Sequence, residues 1–100
     1  MNLGVAKILC VEGDPAVRES RCAVLKHSGY DTASGSSDIA ESLLRSQKFD
    51  LIVLSWLNDS DLHRIINFSD GAELLVLDYL TMPSELLSLV AQRLNRQRRA

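Results

Sequence analysis

The sequence is poor in the residues that punctuate or staple a chain. Two cysteines among 100 residues, with no Cys-x-x-Cys spacing and no cluster with the two histidines, exclude a disulfide framework and a cysteine-based metal site. Cys10 falls in an apolar run and Cys22 in a helical pattern, so both are expected to be buried free thiols. Eleven basic residues against thirteen acidic ones leave a net charge of −2, which gives no global bias towards nucleic acid. No apolar run approaches the roughly 18 residues that a membrane span requires. The segment Met1 to Lys7 lacks the charged start, long apolar stretch and cleavage site of a secretory signal, so a cytoplasmic protein is expected. Gly-x-Gly-x-x-Gly, P-loop and paired catalytic acids are all missing, and Gly13-Asp14-Pro15 alone does not make a phosphate cradle.

What is present is an alternation of two periodicities. Ile8-Leu9-Cys10-Val11 is continuously apolar and flanked by Gly13-Asp14-Pro15, which predicts a first strand over Lys7 to Glu12. Asp14 can cap a helix with Pro15 in its first turn, Val17, Val24 and Leu25 sharing a face until Ser28-Gly29 stops it. Tyr30 to Ala33 is a short strand candidate, and Ser34-Gly35-Ser36-Ser37 reads as a loop. Asp38 and Glu41 then have the spacing of a capping box for a second helix with Ile39, Leu43 and Leu44 inward. A third strand covers Asp50 to Ser55, and Leu62, Ile65 and Ile66 mark a short helix that Asp59-Ser60-Asp61 can cap and that ends near Ser69-Asp70-Gly71. A fourth strand is expected over Glu73 to about Tyr79, and Pro83 opens a last helix with Leu86, Leu87, Val90 and Leu94 on one face.

Strands that are apolar along their whole length, alternating with amphipathic helices, predict a parallel sheet covered on both faces. At 46% hydrophobic residues, the length suits one small domain over residues 1–100. The expected fold is doubly wound α/β. In such sheets ligands and chemistry gather at the carboxyl ends of the strands, which directs attention to Ser55, where Leu51-Ile52-Val53-Leu54 runs out.

The run Lys7-Ile8-Leu9-Cys10-Val11-Glu12-Gly13-Asp14-Pro15-Ala16-Val17-Arg18, the Gly29-Tyr30 after the first helix and Lys48-Phe49-Asp50-Leu51-Ile52-Val53-Leu54 together resemble the front half of bacterial two-component response-regulator receiver domains. Asp78-Tyr79-Leu80-Thr81-Met82-Pro83 is similar to the last strand and the lysine-proline corner of that family. The resemblance implies a receiver shortened by one strand and one helix, that is, a flavodoxin-like doubly wound parallel sheet of four strands in the order 2-1-3-4 with about four helices. It also marks departures. Ser55 stands where the family has the aspartate that accepts a phosphoryl group. Glu12 and Gly13 stand where it has two adjacent metal-binding acids, followed here by Asp14. Asp78 stands at the Ser/Thr switch position and Met82 at the lysine. A carboxylate can form an acyl phosphate with an activated donor, whereas an unactivated serine hydroxyl is a poor nucleophile. An extra acid at Asp78 would repel a phosphate.

The expectation is therefore a degenerate receiver, a pseudo-receiver, with no catalytic residues and no cofactor. Mg²⁺ is not expected. Glu12 and Asp14, with Asp59, Asp61 and Asp78, are the remaining oxygen donors for such an ion, but Asp14 has a full role as a helix cap. Trp56 at the cleft mouth is an interface candidate whose ring could instead fill the vacated pocket, and Tyr79 is a second candidate. Arg96, Arg98 and Arg99 could meet an acidic partner or simply suit the carboxyl end of a helix. His27 and His63 read as surface residues. With one strand missing, strand four is an open sheet edge. It is expected to serve self-association as a homodimer or docking of another signalling protein, with no membrane contact. The alternatives are a regulated receiver that retains Mg²⁺ binding and a nucleic-acid adaptor acting through the arginine tail.

Overall fold

Two continuously apolar runs, Ile8 to Val11 and Leu51 to Leu54, become the two central strands, where neighbours on both sides and helices on both faces bury every one of their side chains. The computed structural model describes residues 5–55, 58–78 and 80–99. Its elements are β1 (Lys7–Glu12), α1 (Pro15–His27), β2 (Asp31–Gly35), α2 (Ser37–Ser46), β3 (Leu51–Ser55), α3 (Asp59–Phe68), β4 (Glu73–Val76) and α4 (Pro83–Arg99). All pairings are parallel and the strand order is β2-β1-β3-β4. This is the expected flavodoxin-like arrangement of four strands and four helices.

Alternation of side chains along the strands divides the core into two layers. On one face Ile8, Leu51, Val53 and Leu75 pack with Leu25 of α1 and with Leu86, Val90 and Leu94 of α4. On the other, Leu9, Val11, Ile52 and Leu54 pack with Ala40 and Leu44 of α2 and Ile65 of α3. Helix α4 thus joins α1 over the face that two right-handed crossovers would otherwise leave half bare.

Local details depart from expectation where tertiary contacts outweigh local signals. Strand β2 starts and ends later than Tyr30 to Ala33: Ser34 and Gly35 pair with Cys10 and Val11 instead of forming a loop. A Cβ on Gly35 would stand 2.5 Å from Cγ2 and 2.7 Å from Cβ of Ile39, so only glycine lets α2 start this close to the strand. The expected capping box of α2 is not made. The N-cap is Ser36 without a side-chain bond, and Asp38 and Glu41 instead accept from Arg64 of α3, at 2.8 and 3.5 Å. Helix α3 is capped one residue earlier than expected, by Asn58 Oδ1 accepting from Asp61 N at 2.8 Å. Ile39 and Ile66 are exposed rather than inward. Strand β4 ends at Val76, although Leu77 N still donates to Leu54 O at 2.7 Å.

Strand β4 is an edge. The bonds of Glu73 N to Asp50 O and of Leu77 N to Leu54 O turn the alternate residues Leu74 and Val76 outward. Arg93 of α4 reaches over this edge: its Nη1 donates to Leu74 O at 2.9 Å and lies 3.7 Å from Glu73 Oε2. Val76 remains 66% exposed.

If α4 is an integral wall of the core, replacing its fully buried Leu86 with alanine should cost about 2–5 kcal/mol. The urea midpoint should fall with little change in the m-value. A loss under about 1 kcal/mol would mean that α4 is only loosely attached.

Candidate functional site

The carboxyl ends of the strands converge on a buried polar cluster. Glu12 closes β1 and Ser55 closes β3, and the parallel register sets them directly opposite one another. Beyond Glu12 the chain turns at Gly13 into α1, where Asp14 Oδ1 caps the helix by accepting from Ala16 N at 2.9 Å and Val17 N at 3.4 Å. Pro15 follows at the first helical position, where its missing N–H costs nothing. Seven residues past the cap, Arg21 lies on the inward face of α1, four after Val17 and four before Leu25. Its side chain therefore points back at the strand ends.

Three side chains that would each be costly to bury alone satisfy one another. Glu12 is fully buried, Ser55 is 3% exposed and Arg21 6%. Arg21 Nη1 donates to Glu12 Oε2 at 3.1 Å and to Ser55 Oγ, and the Ser55 hydroxyl donates to the same Glu12 oxygen. Glu12 Oε1 accepts from Asp14 N at 3.1 Å, and the Glu12 carbonyl accepts from Arg18 Nη1 at 3.0 Å. The second guanidinium arm, Nη2, donates to the carbonyl of Asp78 at 3.0 Å. The net charge of the Glu12–Arg21 pair is zero. Desolvating two ions costs several kcal/mol each, and the mutual attraction and full set of hydrogen bonds offset that cost.

The other sequence candidates are distributed around this cluster rather than in it. Gly13 is exposed, and Asp14 is engaged as the helix cap. Asp78 sits at the rim with its carboxylate exposed, Oδ1 accepting from Leu80 N at 3.0 Å, so only its backbone carbonyl enters the cluster. Met82 is 63% exposed, and His27 and His63 are on the surface. Trp56 and Tyr79 lie outside the described residues, and the side chains of Arg96, Arg98 and Arg99 in α4 are likewise not described. Among the described residues, no three His, Cys, Asp or Glu side chains gather in a way that could hold a metal ion.

Arg21 is the residue that sequence reasoning overlooked. Its signal was nonetheless there: a charged residue in the inward stripe Val17-Arg21-Leu25 must find a buried partner. Cys10 lies one layer below, on the same side of β1 as Glu12. Burial, and secondarily the neighbouring Cys22, push its thiol up from 9.0 to about 12. It stays a neutral thiol throughout the physiological range, an inert part of the core.

A scan against protein-family profiles gives no match, and a comparison with curated protein sequences gives none either. Solved structures do match. A CheY-like response regulator receiver domain protein from Methanospirillum hungatei JF-1 superimposes with a TM-score of 0.69 at 14% identity, over 96% of this chain and 98% of that one. The signal receiver domain of a signal transduction histidine kinase from Syntrophus aciditrophicus gives a TM-score of 0.70 at 20% identity, over 96% and 95% of the two chains. Chemotaxis protein CheY4 of Vibrio cholerae gives 0.65 at 15% identity, over 89% and 98%. At these identities the likeness is one of fold. The chain has the α/β fold of the response-regulator receiver domains, in a short, four-stranded form.

Two outcomes follow from the cluster. Arg21→Met alone should destabilise the protein by about 3–5 kcal/mol, because it leaves the Glu12 carboxylate buried without its cation. Adding Glu12→Gln should recover most of that loss, and a double variant as unstable as the single one would show that the two side chains are not coupled. For Cys10, both folded and unfolded chains keep the thiol proton below pH 9. Between 9.0 and about 12 the unfolded chain ionises first, so stability falls as pH rises. Cys10→Ala should make the alkaline decline of stability shallower in urea titrations at stepped pH, and an unchanged slope would contradict the raised thiol.

Proposed function

We propose that this chain is a receiver-like signalling domain that does not accept a phosphoryl group at Ser55 and acts as a protein-interaction module rather than an enzyme. The observation that carries this reading is the position of the Arg21 guanidinium. It lies between the ends of β1 and β3, bound to Glu12 and Ser55, in the place where a metal ion and an incoming phosphoryl group would have to meet.

The chemistry points the same way. The Ser55 hydroxyl is 3% exposed, donates to Glu12 and has no strong base beside it, so attack on a phosphoryl donor is disfavoured by access and by nucleophilicity. The Arg21 guanidinium charge is already balanced by Glu12 at 3.1 Å, so it does not act as a lone cation to draw in a phosphate. For Mg²⁺ the donors fit poorly. A hard cation in near-octahedral geometry needs carboxylate oxygens that are free to turn towards it, whereas those of Glu12 accept from Arg21, Ser55 and Asp14 N, and Asp14 caps α1. The domain then needs no cofactor. Gly13, Asp78 and Met82 belong to the degenerate pocket in this reading.

With no reaction to perform, the function resides on surfaces. The described surface most suited to contact is the edge of β4 with the turn that follows it, where Val76, Leu80 and Met82 are 66%, 77% and 63% exposed. Another signalling protein or a second copy of this chain is the partner. No helix among the described residues is long and apolar enough to cross a membrane, and a cytoplasmic setting goes with the signalling role.

The test is an amide NMR titration with Mg²⁺ and then beryllium fluoride. No saturable shift should appear at Glu12, Asp14, Ser55 or Asp78 up to millimolar ligand. Saturable shifts confined to those residues would overturn the reading in favour of a regulated receiver that binds Mg²⁺.

A further inference from the structure

The two arms of one guanidinium do different things. Nη1 of Arg21 stays within the buried pair with Glu12 and Ser55, whereas Nη2 crosses to the carbonyl of Asp78 at 3.0 Å. That carbonyl also accepts from Thr81 N at 3.1 Å, and the Asp78 carboxylate accepts from Leu80 N at 3.0 Å. Asp78 is thus the hub of the turn that leads from β4 to α4, and Arg21 is a buried side chain holding that hub from inside. Packing holds the chain up to Leu77, which is buried in the core. Beyond it a cleft of about 290 Å³, lined by residues that include Ala16, Val17, Ser20, Arg21, Thr81 and Leu86, lies between α1 and the start of α4. Arg21, which lines this cleft, ties α1 to Asp78.

We infer that Arg21 is a positioning residue that latches the turn 78–82 to the strand-end cluster, so that the chain's own guanidinium, rather than a bound ion or a modification, sets the shape of this surface. The inference deepens the proposed function and rests on its reading of the pocket as one without phosphoryl chemistry. The latch requires the planar fork of arginine. A single ammonium can pair with Glu12 but cannot also reach the turn from a second, rigidly linked donor. The residues displayed by the latched turn include Leu80 and Met82, both largely exposed. The latch therefore acts where an interaction surface would be presented.

The discriminating variant is Arg21→Lys in the full chain, followed by amide hydrogen exchange and chemical shifts. It should keep β1 protected at Ile8 to Val11, because charge pairing with Glu12 survives. Exchange at Thr81 N should accelerate about tenfold or more, with shift changes at Leu80, Thr81 and Met82. In a second variant, Arg21→Ala, low millimolar methylguanidinium should slow Thr81 exchange again in a saturable way. Unchanged Thr81 protection and turn shifts in a folded Arg21→Lys protein would overturn the latch. So would a loss of protection spread evenly over β1 and the turn, which is the signature of a merely structural ion pair. Failure of the latch leaves the Mg²⁺ and beryllium fluoride result untouched, so the two readings fail separately.

Discussion

A carboxylate with no exposure to water, that of Glu12, is the constraint on which the functional end of the molecule depends. It closes β1, one of the two central strands of the sheet, where an unpaired charge would be intolerable. One residue, Arg21, answers it from the neighbouring helix, and the rest follows from that answer. Ser55 fits opposite because a hydroxyl can accept from the guanidinium while donating to the carboxylate. The cap at Asp14 fits because its own N–H satisfies the second Glu12 oxygen. The turn after β4 fits because the Asp78 carbonyl accepts from Nη2, the second arm of the fork. Four segments of the chain meet at one ion pair, and a buried network whose members are all satisfied specifies their arrangement more sharply than apolar contact would.

The same end of the sheet explains how a receiver-like fold can carry different residues at its strand ends. Parallel strands place their carboxyl ends together whatever residues stand there. Their backbone pairing and the two apolar layers are independent of the cluster, as the uninterrupted burial of Ile8 to Val11 and Leu51 to Leu54 illustrates. Fold and site are separable, and similarity to receiver domains at 14 to 20% identity is a statement about the first. What the site can do has to be argued from its own residues.

At the far edge of the sheet the short architecture leaves a different problem. Strand β4 turns the backbone of Leu74 and Val76 outward, and one long side chain, Arg93, covers the first of these. An edge with one carbonyl occupied by arginine is blunted, since a charged side chain lying along it discourages indiscriminate pairing. Val76 stays exposed beside the turn that carries Leu80 and Met82. A covered carbonyl and exposed apolar side chains therefore lie within a few residues of one another on this edge.

Much of this was legible in the one-dimensional pattern. Continuous apolar runs, Asp14-Pro15, Ser28-Gly29 and Pro83 mark the elements, and their alternation implies a parallel sheet with helices on both faces, because these are local signals with short-range causes. The strand order came from the resemblance to receiver domains. Ser34 and Gly35 were misread as loop, since pairing with Cys10 and Val11 is a long-range event that turn-forming residues do not announce. The glutamate and serine of the strand ends were also visible as candidates, because each closes a continuous apolar run. The identity of their partner was not. The sequence by itself determined that Glu12 ends the first strand and Ser55 the third, and that Arg21 stands at the helical spacing of Val17 and Leu25. Only the tertiary structure decided that Glu12 and Arg21 neutralise each other and that the second arm reaches Asp78. Such a meeting depends on distances between residues 9, 34 and 57 positions apart, which the packing of helix on sheet creates and no local propensity contains.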